Sequence, residues 1–316
     1  MIKKFLSTVG FLTALSVPQL SAQSLTVAND SAANYSSWAS GDNQGTGFGP
    51  WTLEGNNGGT FIGDPSGRAS NLSGSFTTSG KTFGLWSSGD ATLATRYGKA
   101  TRSFGSPLGV NSRFKISLGY QWDNGNRGLN LLDGSSEIFN LNINSSGMNW
   151  TGNGSYGVIP WPGKRENGVQ IDVEISKTAS GFSFTITSPQ ESALNGSGTV
   201  SASSVSGFAV YVSGAGGGSG ADFNFNNLSV TEPVAGSMAV PGDHAFLGSW
   251  ASDGSNGTGM TRSSDPATPY LWSSYFKSSD ARLIAFKFAA DGTFDFSWGA
   301  DPGRSGYAKR GGDPIK

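Results

Sequence analysis

The chain alternates apolar and polar residues with a period of two, and this restricts it to strands. In Ser112 to Gln121, SRFKISLGYQ, Phe114, Ile116, Leu118 and Tyr120 fall on one side. In Gln170 to Ser176, QIDVEIS, Ile171, Val173 and Ile175 point one way, and Asp172 and Glu174 the other. Phe182, Phe184 and Ile186 alternate in GFSFTITS, and Phe208, Val210 and Val212 in GFAVYVS. Phe223, Phe225 and Leu228 to Val230 close the series, with shorter candidates at Thr60 to Ile62, Thr82 to Trp86, Gly128 to Leu132 and Glu137 to Ile143. Past the N-terminus there is almost no helical periodicity. One apolar face per strand predicts antiparallel sheets, each burying one side. The connectors carry Asp-Asn-Gly, Asp-Gly, Asn-Gly and Ser-Gly, residues that supply the positive φ of tight turns. Glycine, at 48 of 316 residues, fits such turns. Aromatic residues at 12% separate the chain from disordered sequences, and charged residues at 14% fall well below the usual quarter. The expected fold class is all-β: a jelly-roll β-sandwich over residues 23–231, followed by a second, smaller β-rich module from residue 243.

The start, MIKKFLSTVGFLTALSVPQLSAQS, predicts a secretory signal peptide over residues 1–22. Lys3 and Lys4 precede the short apolar run Phe5 to Val17, and Leu20-Ser21-Ala22 offers small residues for cleavage. No later run of 18 apolar residues predicts a transmembrane segment. The expected location is secreted, periplasmic or on the outer cell surface of a Gram-negative bacterium. Cysteine is absent, which removes thiol nucleophiles, cysteine-ligated metals, disulfides and lipid attachment to cysteine. A net charge of −1 without a basic stripe argues against nucleic acid as a partner. Residues 232–242, with Pro233 and Pro241, read as a linker. From 243 to 316 the clearest strands are Leu283 to Ala289 and Thr293 to Trp298, joined at Ala290-Asp291-Gly292.

One short stretch occurs twice. SWASDGSNGTGM at Ser249 to Met260 shares seven of twelve residues with SWASGDNQGTGF at Ser37 to Phe48. The flanks differ, so this is no domain-length repeat. Shared turn chemistry is the preferred explanation, and a convergent ligand loop the alternative.

Chemistry-bearing residues are few. His244 is the sole histidine, stands beside Pro241 and Gly242, and has no G-x-S-x-G elbow to serve, so it is read as a surface residue. Asp172 and Glu174 share a strand face in the pattern of a solvated sheet, and no E-x-D-x-x-E triplet marks a retaining hydrolase. No catalytic residue is assigned and no cofactor is required. A structural Ca²⁺ held by loop carboxylates would draw on Asp30, Asp42 and Asp222. Tryptophan, nine in all, is the stronger feature. Indoles stack on pyranose rings while polar neighbours bond the hydroxyls. Trp122 in GYQWDNGNRG and Trp161 in IPWPGKRE look loop-borne. Trp250, Trp272 and Trp298 are the candidates in the second module, Trp298 being equally able to point into a core.

Residues 243–316 carry Gly248-Ser249-Trp250, Met260-Thr261, Leu271-Trp272, Phe286-Lys287-Phe288, Asp291-Gly292 and Trp298-Gly299, in that order. This resembles the small β-sandwich modules of the Sus-type outer-membrane starch-binding proteins, the SusE/SusF kind. The resemblance covers about a quarter of the chain and implies glycan-binding roles for the three tryptophans. Those relatives are lipoproteins, whereas this chain has no cysteine to acylate. Their modules also continue past the position of Gly311 to Lys316, so the chain is expected to lack the module's last strands. The first module has Ala28-Asn29-Asp30, Asn34-Tyr35, Trp38, Gly45 to Trp51, Phe61 to Pro65, Phe83 to Trp86 and Phe225 to Val230. It resembles the N-terminal jelly-roll segments of secreted proteins from Verrucomicrobia-like bacteria, which look concanavalin-like or carbohydrate-binding. The expected function is non-catalytic polysaccharide binding, with an α-glucan favoured, as the binding part of a larger glycan-degrading protein. The alternatives are a structural or adhesive surface protein with no soluble glycan ligand, and a jelly-roll glycoside hydrolase or polysaccharide lyase.

Overall fold

Each alternating stretch forms a strand. The structure is a computed structural model; it describes residues 24–88, 96–159, 163–216 and 218–233, and the backbone of six short strands between 238 and 310. Numbered along the chain, the strands up to residue 233 are β1 (Ser24–Asp30), β2 (Thr52–Asn56), β3 (Gly58–Gly63), β4 (Thr82–Ser87), β5 (Tyr97–Ser103), β6 (Arg113–Tyr120), β7 (Asn126–Asp133), β8 (Ser136–Asn144), β9 (Gly147–Gly152), β10 (Ser155–Ile159), β11 (Val169–Lys177), β12 (Gly181–Thr187), β13 (Gly196–Ser201), β14 (Gly207–Ser213) and β15 (Phe223–Pro233).

They form two antiparallel sheets. The eight-stranded sheet runs β13-β12-β11-β6-β15-β4-β3, with β1 added along β15. The seven-stranded sheet runs β10-β9-β8-β7-β14-β5-β2. The inward sets predicted on β6, β11, β12, β14 and β15 are all buried in one continuous core. Rings from the two sheets interlock across it. Phe114 of β6 stacks on Phe208 of β14 at 4.9 Å between centroids, and Phe184 of β12 meets Phe139 of β8 at 5.0 Å. This is an all-β sandwich of two antiparallel sheets packed over one core. At the β2–β3 corner glycines let the two sheets touch. A Cβ on Gly58 would run into the Tyr97 and Trp86 carbonyls, and one on Gly98 into the Gly59 carbonyl.

Strand β15 changes partner midway. Phe223 to Phe225 pair with β4, whereas Leu228 to Pro233 pair with β1. At the switch the β6 register slips between Asn226 and Ser229, and Asn227 takes a φ of 57°. The side chain of Asn226, wholly buried, fastens the switch. It accepts from the Ala32 amide at 2.9 Å and donates to the Phe76 and Lys81 carbonyls at 2.8 and 3.0 Å.

A second buried polar cluster ties β1 to β5. The Asp30 carboxylate accepts from the Ser31 amide, the Asn34 side chain and the Tyr35 hydroxyl, and pairs with Arg102. Neither side chain of the pair is exposed to solvent. Arg102 also donates to the Gly49 carbonyl and to Asn43 Oδ1, and its guanidinium lies 4.8 and 4.7 Å from the Phe48 and Trp51 ring centroids. Trp51 Nε1 in turn donates to the Tyr35 hydroxyl. Trp38, from the first SWAS copy, packs on Trp51, Phe83 and Phe225. In this copy the tryptophan is a core ring, which accounts for its place beside a turn-forming loop; Trp250 of the second copy lies outside the described residues.

Residues from 238 onward form a six-stranded antiparallel sheet: β16 (Met238–Val240), β17 (Thr258–Arg262), β18 (Trp272–Ser273), β19 (Phe288–Ala290), β20 (Thr293–Ala300) and β21 (Ala308–Arg310), in the order β18-β17-β16-β19-β20-β21. The hairpin expected around Ala290-Asp291-Gly292 is described for β19 and β20, with Phe288 opposite Trp298, whereas residues 283–287 and 291–292 lie outside the described residues. The stretch read as a linker, 232–242, contains the end of β15 and all of β16. Among the described residues no helix is long and apolar enough to cross a membrane.

Candidate functional site

The outer face of the eight-stranded sheet carries a polar groove of about 560 Å³. Strand alternation builds it. With Phe114, Ile116 and Leu118 inward, β6 presents Lys115 and Ser117 outward; with Ile171, Val173 and Ile175 inward, β11 presents Gln170, Asp172 and Glu174. Register then aligns them in rows. Ser117, Asp172 and Thr187 lie side by side across β6, β11 and β12. Ser229, Lys115, Glu174 and Thr185 form the next row, across β15, β6, β11 and β12. One end is walled by Ser75, in the segment 64–81 that crosses this face. That segment stands on its own small core of Ala69, Leu72 and Phe76, with Leu72 and Phe76 seated on Gly119 of β6.

The two carboxylates in the groove differ in what holds them. Asp172 Oδ1 accepts from Ser117 Oγ at 2.7 Å and from Gln170 Nε2 at 2.8 Å. Among the described residues no hydrogen bond reaches its Oδ2, which leaves an oriented acceptor free for a ligand. Glu174 is neutralised by Lys115 at 2.8 Å and Arg113 at 3.3 Å. The arrangement is a set of fixed donors and acceptors with its charge largely offset, suited to recognising a neutral, hydroxyl-rich molecule.

On the same face, beyond segment 64–81, the Trp86 ring lies over Gly59 of β3 and the Phe61 ring over Gly84 of β4. Trp86 is 44% exposed. The strand stretch containing it was legible in the sequence, but its outward direction follows from Phe83 and Leu85 being the inward pair.

The sequence-nominated residues fall elsewhere. Trp122 follows β6 and packs against the core. Its ring rests on Gly220, Lys164 Nζ lies 4.9 Å from its centroid, and its Nε1 is buried. Trp272 and Trp298 occupy strand positions in β18 and β20, opposite Arg262 and Phe288. Trp161, Trp250 and His244 lie outside the described residues. The three aspartates nominated for Ca²⁺ are not brought together. Asp30 is committed to Arg102, Asp42 Oδ2 accepts from the Ala39 amide at 2.8 Å, and Asp222 pairs with Arg68 at 3.1 Å. Among the described residues no three His, Asp, Glu or Cys side chains gather.

No protein-family model matches the chain, and no curated protein matches it. Structural likenesses are distant. A sialidase aligns with a TM-score of 0.38 and 11% identity over 57% of this chain, which spans only 16% of the sialidase. Domain 4 of AbnA, an extracellular arabinanase from Geobacillus stearothermophilus solved with arabinotriose, aligns with a TM-score of 0.37 and 13% identity, over 66% of this chain and 93% of that domain. Lectin I from Ulex europaeus, solved with the methyl glycoside of α-L-fucose, aligns with a TM-score of 0.35 and 9% identity, over 66% of this chain and 97% of the lectin. The assignment of a site rests on the geometry of this chain alone.

Asp222 provides a pH signature close to segment 64–81. Burial pushes its carboxyl from the ordinary 3.8 up to about 6, with Arg68 and Arg127 pulling the other way. Between those values the folded chain holds a proton that the unfolded chain has released. This group therefore lowers stability as pH rises from about 4 to about 6, and its cost is fully present above that window. The difference in urea midpoint between wild type and Asp222→Asn is expected to change across pH 4 to 6.5 and to be constant above it. A difference independent of pH would contradict this.

Proposed function

We propose that the sandwich binds a polysaccharide in the groove on its eight-stranded sheet and does no chemistry on it. The observation that carries this is the Ser117–Gln170–Asp172 triad. A carboxylate held by two neighbours through one oxygen presents the other as a directed acceptor, the arrangement that orients a sugar hydroxyl. The rows of Thr185, Thr187, Ser229 and Asn227 extend the polar lining, and Arg113 and Lys115 together offset the charges of Glu174 and Asp172. In this proposal residues 1–22 direct secretion, and residues 243–316 are a second glycan-binding module of the SusE/SusF kind, immunoglobulin-like, with Trp250, Trp272 and Trp298 as its stacking residues. An α-glucan remains the favoured ligand on that resemblance.

Affinity electrophoresis through gels containing starch, pullulan, laminarin, xylan or no glycan tests the reading. At least one glycan is expected to retard the protein, and Asp172→Ala to weaken that retardation about tenfold or more without unfolding it. Equal mobility in every gel would favour a structural surface protein.

A further inference from the structure

The outer face of the seven-stranded sheet breaks the rules of an ordinary solvated face. Phe139, Leu141 and Ile143 of β8 point inward, so Asn140, Asn142 and Asn144 point outward. The same alternation puts Asn126 and Asn130 of β7 and Asn149 of β9 on that face. Register sets Asn130 beside Asn140, and Asn142 beside Asn149. Asparagine is among the residues strands disfavour, and a face that only met water would be more stable with threonine, valine or tyrosine. A local preference overridden six times on three adjacent strands marks a face kept for another purpose.

These amides are fixed in orientation by one another. Asn140 Nδ2 donates to Asn130 Oδ1 at 2.6 Å and to the Tyr211 hydroxyl at 2.9 Å. Asn142 and Asn144 both donate to Asn126 Oδ1, at 2.9 and 3.1 Å. Asn142 Oδ1 is buried and has no hydrogen-bond partner among the described residues. The row Asn130, Asn140, Thr151 ends on Tyr156 of β10, whose side chain is 79% exposed. Two charged groups of opposite sign touch the array: Glu137 accepts from the Asn130 amide, and Lys99, opposite Tyr211, stands 3.8 Å from Glu54.

We propose that this face is a second glycan-binding surface, where the amide array bonds sugar hydroxyls and Tyr156 stacks on a ring, so that one sandwich holds two polysaccharide chains. The inference rests on the groove reading for its ligand class. An amide both donates and accepts, as a hydroxyl does, and an exposed tyrosine beside it offers the apolar half of a sugar site. A charge-poor lining selects a neutral chain over an acidic one.

The test compares wild type, Tyr156→Ala, Asn140→Thr and the groove variant Asp172→Ala, using starch, pullulan, laminarin and xylan as probes. Tyr156 is exposed, so its removal leaves folding intact, and threonine at 140 favours the strand. Light scattering of protein mixed with the soluble glycan that retards it most reports cross-linking. Wild type is expected to raise scattering, and each one-face variant to abolish that rise while keeping part of the gel retardation. If Tyr156→Ala and Asn140→Thr match wild type in scattering and retardation while Asp172→Ala loses both, the second face is refuted and the groove stands. If no glycan retards wild type, both readings fall.

Discussion

Replacing Arg102 by alanine is expected to cost about 3–5 kcal/mol of stability, the range for breaking a buried ion pair from one side. The Asp30 carboxylate would stay fully buried, facing only the Tyr35 hydroxyl, the Asn34 amide and the Ser31 backbone. Asp30→Ala strands the guanidinium instead, between the Phe48 and Trp51 rings with Asn43 and the Gly49 carbonyl as its remaining partners. Urea unfolding followed by tryptophan fluorescence measures both variants. The double variant should lose less than the sum of the singles, because removing both charges leaves no unpaired ion. A loss under about 1 kcal/mol for either single variant would mean the pair is solvated, against the burial described.

Asn226→Ala comes next, at about 2–4 kcal/mol. One amide satisfies three backbone groups drawn from two separate loops, and removing it leaves the Ala32 amide and the Phe76 and Lys81 carbonyls unpaired. Asn226→Asp separates hydrogen bonding from packing. The carboxylate can still accept from Ala32, yet it faces two carbonyl oxygens that need donors. It should therefore be at least as damaging as alanine at pH 7 and less so near pH 4, where a protonated acid can donate to one carbonyl. Equal stability of Asn226→Ala and wild type would show that the strand switch does not depend on this side chain.

The legibility of the fold followed the length of the alternating runs. Strands β6, β11, β12, β14 and β15 carry three or more inward apolar residues each and could be read directly. Strands such as β2 (TLEGN), β5 (YGKATRS) and β13 (GSGTVS) have too few apolar residues to announce themselves; neighbouring strands hold them in place. The outward direction of Asp172 and Glu174 was plain in QIDVEIS. Their partners Ser117 and Lys115 lie more than fifty residues earlier, and only strand register brings them alongside. The same limit applied to the aspartates. Asp30 and Asp222 look like loop ligands when read locally, because Arg102 and Arg68, 72 and 154 residues away, are invisible at short range. Trp122 looked loop-borne for a similar reason, since the glycine it rests on is almost a hundred positions further along.

The measurement that bears most directly on the account is a calorimetric titration with the soluble glycan that gives the strongest retardation, comparing wild type with Gln170→Ala/Asp172→Ala. The groove reading predicts that the double variant, folded and with an unchanged urea midpoint, binds about tenfold or more weakly. Identical affinity in the folded double variant would place the ligand elsewhere on the molecule and contradict it.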